Sequence, residues 1–313
     1  MLEGVVYYQV VFTLPSELSR LALSNRQAIA KLLFQSAWTS LRQTIRSEQD
    51  YDPAAIMVLH TWNQQMDAHW HVHTLVPGAG PGFKQPGWKT ALPPVDSPFT
   101  EGHYLVDAEN LRHRFRRRAI ACLNRLRDRG ELKLEGDMAY LQDESDWQRL
   151  ISELSSVEWV SYIEPPPSRQ SRPHQVVRYL TRYLTGGPIS DARIVAADSR
   201  SVTFLAREGT KTGGERKQVP ITIPIDEFIR RWCLHIQPNG LTKTRYCGGW
   251  SNACRQAYLE QCACEMEAAD VPIDDQALDF TPTALVPTAD PETANNEPLT
   301  CSRCGSQRLE LIE

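Results

Sequence analysis

Alternating histidines in one short segment constrain the fold more than any other feature of this sequence. Residues 69–77 read His-Trp-His-Val-His-Thr-Leu-Val-Pro. Successive side chains of a β-strand point to opposite sides of a sheet. His69, His71 and His73 would therefore share one face, while Trp70 and Val72 would share the other. The pattern predicts a strand with one apolar face and one face that carries imidazoles.

Two of these imidazoles are spaced to bind one metal ion. Neutral His71 and His73 could grip a divalent cation together. Gln64, at the end of the preceding predicted strand, could supply a third ligand across a hairpin. Such a site leaves positions open for phosphate and water, which suits Mg²⁺ or Mn²⁺ better than a closed structural zinc site does. The alternative is that these histidines are surface or partly buried polar residues.

The order of strands and helices predicts an α+β fold. Strands are predicted at residues 5–14, 54–62, 70–77, 158–164, 193–207 and 217–224, and helices at 25–48, 106–129, 226–235 and 251–268. This mixture favours a largely antiparallel central sheet flanked by helices.

The predicted elements, together with the composition of the C-terminal residues, divide the chain into three parts. Residues 1–190 are predicted to form a core, and residues 191–268 a C-terminal extension of β-hairpin and helix. Residues 269–313 are rich in Pro, Thr, Ala and acidic residues, and are predicted to be a flexible acidic tail that ends in a Cys-x-x-Cys pair.

A second informative segment is a predicted helix that Ser171 could cap and that ends at residues 186–188. It carries Tyr179 and Tyr183, which are four residues apart and therefore neighbours on one face. Two phenols so placed could act in succession on two phosphodiesters, but a tyrosine hydroxyl is a weak nucleophile and needs a metal ion to polarise the phosphate. Arg178 and Arg182 could hold DNA phosphates. The alternative is a pair of core or interface tyrosines.

The predicted helix at 106–129 is strongly basic, with eight arginines between residues 112 and 129. The chain has a net charge of −4, but residues 1–255 carry 32 basic and 26 acidic residues, so charge does not exclude a nucleic-acid partner. Arg114, Arg117 and Arg118 are candidates for contacts with the DNA backbone. The alternative is a solvated face paired with the acidic residues of 131–146.

Three motifs now stand in order along the chain: Val-Phe-Thr-Leu-Pro at residues 11–15, His71-Val72-His73, and Tyr179 followed four residues later by Tyr183. This set resembles the HUH endonuclease superfamily, named for two histidines that flank a bulky hydrophobic residue. More closely, it resembles the two-tyrosine rolling-circle transposases of insertion-sequence family ninety-one. The resemblance covers roughly residues 5–265.

The resemblance implies an HUH core, which is a four- or five-stranded antiparallel sheet with flanking helices. It implies that His71 and His73 bind the metal, with Gln64 in the position of a third ligand. Tyr179 and Tyr183 would be the nucleophiles. One would attack a DNA strand at the end of the element and leave a 5′-phosphotyrosine and a free 3′-hydroxyl, without ATP.

Family members usually begin with a cysteine-rich zinc-binding segment, which the sequence is expected to lack because Met1 almost directly precedes the first core strand. Cys301 and Cys304 look like half of a zinc site, and Cys262 and Cys264 could complete it with Zn²⁺. The alternative is a reduced pair in a flexible tail.

The expected partner is single-stranded DNA at transposon ends. A host helicase is a further expected partner, because the chain has no phosphate-cradling Gly-x-x-x-x-Gly-Lys motif. Apolar runs too short to span a bilayer, together with the lack of a signal-peptide pattern, predict no membrane association and a cytoplasmic, nucleoid-associated protein.

Three other functions remain open at this point. A plasmid-type replication initiator or relaxase would use the same chemistry on another target. A shortened DNA-binding remnant would bind DNA without cleaving it. A metal-dependent hydrolase of small substrates is weakened by the lack of a His-Asp cluster that could hold two metals.

Overall fold

The computed structural model describes residue 2 and residues 4–164, 186–207 and 218–271. They belong to one compact unit, residues 1–273. The fold is α+β, as predicted. The strands are β1 (Tyr7–Thr13), β2 (Ala54–Trp62), β3 (Ala68–Pro77), β4 (Ala79–Pro81), β5 (Trp88–Thr90), β6 (Val160–Glu164), β7 (Ile194–Ala197), β8 (Ser201–Arg207), β9 (Gln218–Pro224) and β10 (Thr244–Gly248). The α-helices of the described residues are α1 (Ser19–Ser24), α2 (Arg26–Glu48), α3 (Ala108–Asp128), α4 (Glu144–Ser156), α5 (Ile225–Cys233) and α6 (Arg255–Ala268).

The central sheet has five strands in the order β10-β2-β3-β1-β6, and every neighbouring pair is antiparallel. This confirms the predicted antiparallel sheet. Strand β10 comes from the segment predicted as the C-terminal extension and forms one edge of this sheet. The histidine-rich strand β3 lies in the middle, so its two faces are set by neighbours on both sides.

One face of the central sheet is covered by helices α2 and α3. Val10 and Phe12 of β1 are fully buried on this face, in the same apolar cluster as Trp70 and Val72 of β3. The Phe12 ring meets Phe115 of α3 edge-on, with centroids 5.0 Å apart. Because side chains alternate along each strand, the intervening residues of β1, β2 and β3 lie on the opposite face.

A second antiparallel sheet, in the order β7-β8-β9, packs at the turn between β2 and β3. Met66 in that turn is fully buried and contacts the cluster formed around Phe204 and Ile223. Its φ of 61° is uncommon for a residue other than glycine. Burial of the Met66 side chain in this cluster holds the tip of the β2–β3 hairpin against the second sheet.

No described helix is both long enough and apolar enough to cross a membrane.

Candidate metal centre

Three histidines come together on the face of the central sheet that α2 and α3 leave uncovered. His60 of β2 lies directly opposite His71 of β3, and His73 follows two residues later on the same side. The ring centroids are 4.7 Å apart for His60 and His73, 5.3 Å for His60 and His71, and 4.9 Å for His71 and His73. One ring nitrogen from each lies within 4.8 Å of those of the other two. Three imidazoles in this arrangement can converge on a single cation.

The sheet holds these rings through ordinary strand geometry. Trp70 and Val72 alternate with the histidines and are buried under the helices. Slipping β3 by one residue would move these apolar side chains away from the helices and turn the imidazoles into the apolar core, so the core fixes the register. The His60 ring is also stacked on Trp62, with centroids 4.7 Å apart and planes 15° apart.

Hydrogen bonds set the orientation of two of the rings. Nδ1 of His71 lies 3.0 Å from the backbone carbonyl of His69, which can only accept a hydrogen bond. Nδ1 of His71 therefore carries the proton, and its Nε2 presents a lone pair. Nδ1 of His73 lies 2.8 Å from Nε2 of Gln9, a residue of β1.

Burial keeps these imidazoles uncharged. It lowers the pKa of His71 well below its usual value, and repulsion from His73, His60 and His69 lowers it further. Burial, followed by repulsion from His60, lowers the pKa of His73 to about 3. Neutral imidazole is the form that binds metal ions, so at neutral pH neither ring has to lose a positive charge before it binds.

The sequence pattern did not identify His60, yet a signal was present. Alternation along residues 54–62 places position 60 on one face of β2, and the hairpin then places it beside β3. Gln64, the third ligand predicted from the sequence, lies beyond the end of β2 in an exposed turn. Its backbone carbonyl accepts a hydrogen bond from Arg193. The geometry favours His60 as the third ligand, and a role for Gln64 stays a prediction.

Arg231 of α5 and His235, which follows α5, contact the β2–β3 turn. Buried His235 lies 3.1 Å from Oγ1 of Thr61 and 2.9 Å from the carbonyl of Met66. Arg231 pairs with Asp67 at 3.1 Å and donates to the carbonyl of Gln65 at 3.0 Å. These contacts restrain the hairpin that presents the histidines.

The arginines of α3 lie away from the histidine face, because α3 packs on the other side of the sheet. Arg114 donates to Asn110 at 3.1 Å and Arg118 donates to Gln43 of α2. Arg117 is exposed. Contact between these three arginines and DNA stays a prediction, and it would use a surface separate from the metal centre.

The remaining predicted site residues fall outside the described part of the chain. They are Tyr179, Tyr183, Arg178, Arg182, Cys301 and Cys304. Cys262 is buried against Tyr258, whereas Cys264 is exposed, as expected for residues two apart on a helix. Burial raises the pKa of the Cys262 thiol to about 12. A zinc site completed by this pair stays a prediction.

With the fold and the histidine cluster described, comparison with known proteins gives the family. A family model described as putative transposase matches residues 54–257, a range that includes β2, β3 and β10. The chain therefore belongs to this transposase family. The chain is a transposase of the insertion-sequence family ninety-one type, which confirms the resemblance inferred from the sequence motifs.

Two curated proteins are similar to most of the chain. The putative transposase y4qJ of Sinorhizobium fredii is 32% identical over 259 residues, which cover 82% of this chain and 61% of that protein. The transposase for insertion sequence element IS801 of Pseudomonas savastanoi pv. phaseolicola is 24% identical over 309 residues, covering 97% of this chain and 67% of that protein. The chain thus spans less than two thirds of the first relative's length. No solved structure matches it.

Proposed function

We propose that this chain nicks and rejoins single-stranded DNA through a 5′-phosphotyrosine intermediate, as a metal-dependent rolling-circle transposase with an HUH endonuclease core. The observation that carries the proposal is the group of His60, His71 and His73 on the face of an antiparallel sheet opposite α2 and α3. Membership of a transposase family supports DNA as the substrate.

In this proposal the three histidines hold one divalent cation. Three neutral imidazole nitrogens fit a first-row transition ion better than Mg²⁺, which prefers oxygen ligands, so Mn²⁺ is the better fit of the two expected ions. Three protein ligands also leave coordination positions open. When bound, the cation would polarise the scissile phosphate and stabilise the charge that develops on its oxygens.

Tyr179 or Tyr183 would supply the nucleophile. Its phenol oxygen forms a bond to phosphorus as the bond from phosphorus to the 3′-oxygen breaks. The phenol gives up its proton, and the leaving 3′-oxygen gains one to become a hydroxyl. The number of phosphoester bonds is unchanged, so the linkage to tyrosine keeps the energy needed for rejoining, and no nucleotide hydrolysis is required.

Two tyrosines four residues apart suit strand transfer. While one carries the 5′-phosphate of the cut strand, the other can attack a second phosphodiester. The free 3′-hydroxyl can then attack the first phosphotyrosine and regenerate its phenol. Arg178 and Arg182 would hold phosphates beside these tyrosines, and Arg114, Arg117 and Arg118 would contact the backbone elsewhere. A host helicase would supply unwound DNA at the transposon ends.

A covalent-adduct assay tests this function. The full chain is mixed with Mn²⁺ and single-stranded oligonucleotides that tile the ends of the genetic element, each labelled at its 3′ end. We expect the label to move to the size of the protein on a denaturing gel, because the 5′-phosphate of the downstream fragment joins the tyrosine. The Tyr179→Phe/Tyr183→Phe double variant should lose the adduct completely, since phenylalanine has no hydroxyl.

Tyr140→Phe provides a matched control, because Tyr140 is an exposed tyrosine on the segment Gly136–Gln142. This variant should form the adduct at the normal rate, and EDTA should prevent it in every protein. An adduct that survives in the double variant would refute the tyrosine assignment. DNA binding without any adduct, on all the element's end sequences, would instead identify a non-catalytic DNA-binding protein.

A further inference from the structure

Gln9 is a buried polar residue on the same face of the sheet as the histidine cluster. It is 7% exposed and lies on β1, two residues before Val11, which is the register partner of His73. Its side chain reaches diagonally across the strand pair, so that Nε2 lies 2.8 Å from Nδ1 of His73. The amide is thus in direct contact with one of the three imidazoles.

The proton arrangement at His73 differs from that at His71. A neutral imidazole carries one proton, and an amide nitrogen can only donate. With Nε2 of Gln9 facing it, Nδ1 of His73 accepts and the ring proton sits on Nε2. His71 has the opposite tautomer, because its Nδ1 donates to the carbonyl of His69. Nε2 is therefore free to bind a metal in His71 but protonated in His73.

The oxygen of the Gln9 amide could give His73 the same tautomer as His71. Oε1 of Gln9 is buried, and no donor in the described part of the chain reaches it. A half-turn of the amide exchanges oxygen and nitrogen at His73. Oε1 could then accept a hydrogen bond from Nδ1, and the lone pair of His73 would move to Nε2. Histidines that bind metals almost always donate their second ring N–H to an oxygen in this way.

We propose that Gln9 is a positioning residue for the metal centre. When the three histidines bind a cation, Gln9 presents its oxygen to Nδ1 of His73 and holds the tautomer that leaves Nε2 for the metal. This inference rests on the proposed metal centre, but not on the tyrosine chemistry.

Two substitutions separate hydrogen bonding from packing. Gln9→Met keeps the length of the side chain and removes the acceptor. Gln9→Glu supplies an oxygen that can only accept from the imidazole. Glu164 is the register partner of Gln9 on β6, so two carboxylates would then face each other. The exchange variant Gln9→Glu/Glu164→Gln keeps one amide and one carboxylate in this pair.

Mn²⁺ affinity of the full chain, measured by titration with electron paramagnetic resonance and by calorimetry, is the first readout. We expect Gln9→Met to bind Mn²⁺ about 10- to 100-fold more weakly than the wild type, the usual effect of losing such a partner. The exchange variant should bind at least as tightly as the wild type. Thr74→Val is the matched control, since Thr74 is a buried polar residue of β3, adjacent to His73 in sequence. It should stay within about twofold.

Nitrogen-15 spectra of the histidine rings give a readout that packing alone would not change. With diamagnetic Zn²⁺ bound, His73 should carry its proton on Nδ1, whereas the metal-free protein should carry it on Nε2. Normal Mn²⁺ affinity in Gln9→Met, or equal losses in Gln9→Met and the exchange variant, would overturn the proposal. A wild-type chain that binds no Mn²⁺ would overturn both this inference and the metal centre. Normal Mn²⁺ binding without a DNA adduct would contradict the tyrosine chemistry alone.

Discussion

Replacing His60 with alanine should slow formation of the DNA adduct about 1,000-fold, whereas Gln64→Ala should leave the rate within about twofold. Stabilisation of transition-state charge by a metal ion is worth several kcal/mol, and about 4 kcal/mol corresponds to that factor. His60 is 6% exposed and belongs to the three-imidazole cluster, while Gln64 lies in an exposed turn. The measurement is the single-turnover rate at saturating DNA and sub-saturating Mn²⁺.

His69→Ala is the matched control for this experiment. His69 is on the same strand and face as His71 but is not one of the three convergent ligands. Its backbone carbonyl, which holds His71, is kept in the variant. Thermal unfolding of each variant shows whether the fold is intact. A large loss in Gln64→Ala with a normal rate in a folded His60→Ala protein would restore the amide as the third ligand.

Phe12→Ala should lower the free energy of unfolding by about 4 kcal/mol, the usual cost of removing a buried phenylalanine side chain. Phe12 is fully buried at the centre of β1 and packs edge-on against Phe115 of α3. Urea denaturation, followed by the midpoint and slope of the transition, measures this change.

Val11→Ala is the comparison, because Val11 is its neighbour on the opposite face and is only partly buried. We expect a loss of about 1 kcal/mol there. Equal losses at the two positions would show that the two faces of β1 are not packed differently. A larger loss at Phe12 than at Val11 would show that the motif at residues 11–15 contributes Phe12 to the core and Val11 to the face that carries the histidines.

The elements with strong patterns were predictable from the sequence. The strand predicted at residues 54–62 coincides with β2, and the helix predicted at residues 25–48 differs from α2 by one residue at its start. Alternation along residues 69–77 correctly separated the imidazoles from Trp70 and Val72, because strand periodicity is a local property.

What the sequence did not yield depends on contacts between distant segments. The role of His60 depends on the register of the β2–β3 hairpin, which has an irregularity between His60 and Trp62. Strand β10 is short and lacks alternation, so only its pairing with β2 defines it. Helix α4 was not among the predicted helices, although Asp143 caps it by accepting from the backbone amides of Ser145 and Asp146.

The role of the arginines on α3 also could not be decided from the sequence without three-dimensional contacts. The density of arginines on α3 favoured contact with DNA, with pairing to acidic residues as the alternative. Arg127 in fact pairs with Glu144 of α4, and Arg112 pairs with Glu158. Arg117 is exposed. Proximity in sequence to acidic residues does not reveal which arginines are left for a partner.

Identification of the residue that carries DNA tests the central claim most directly. The wild-type chain is reacted with single-stranded DNA and Mn²⁺, the DNA is trimmed with nuclease, and the tryptic peptides are analysed by mass spectrometry. Trypsin separates the two tyrosines, because Tyr179 falls in peptide 179–182 and Tyr183 in peptide 183–193. The account predicts a nucleotide linked through its 5′-phosphate to one or both of these peptides. A nucleotide on any other peptide, or cleaved DNA with a free 5′-phosphate and no linked peptide, would contradict it.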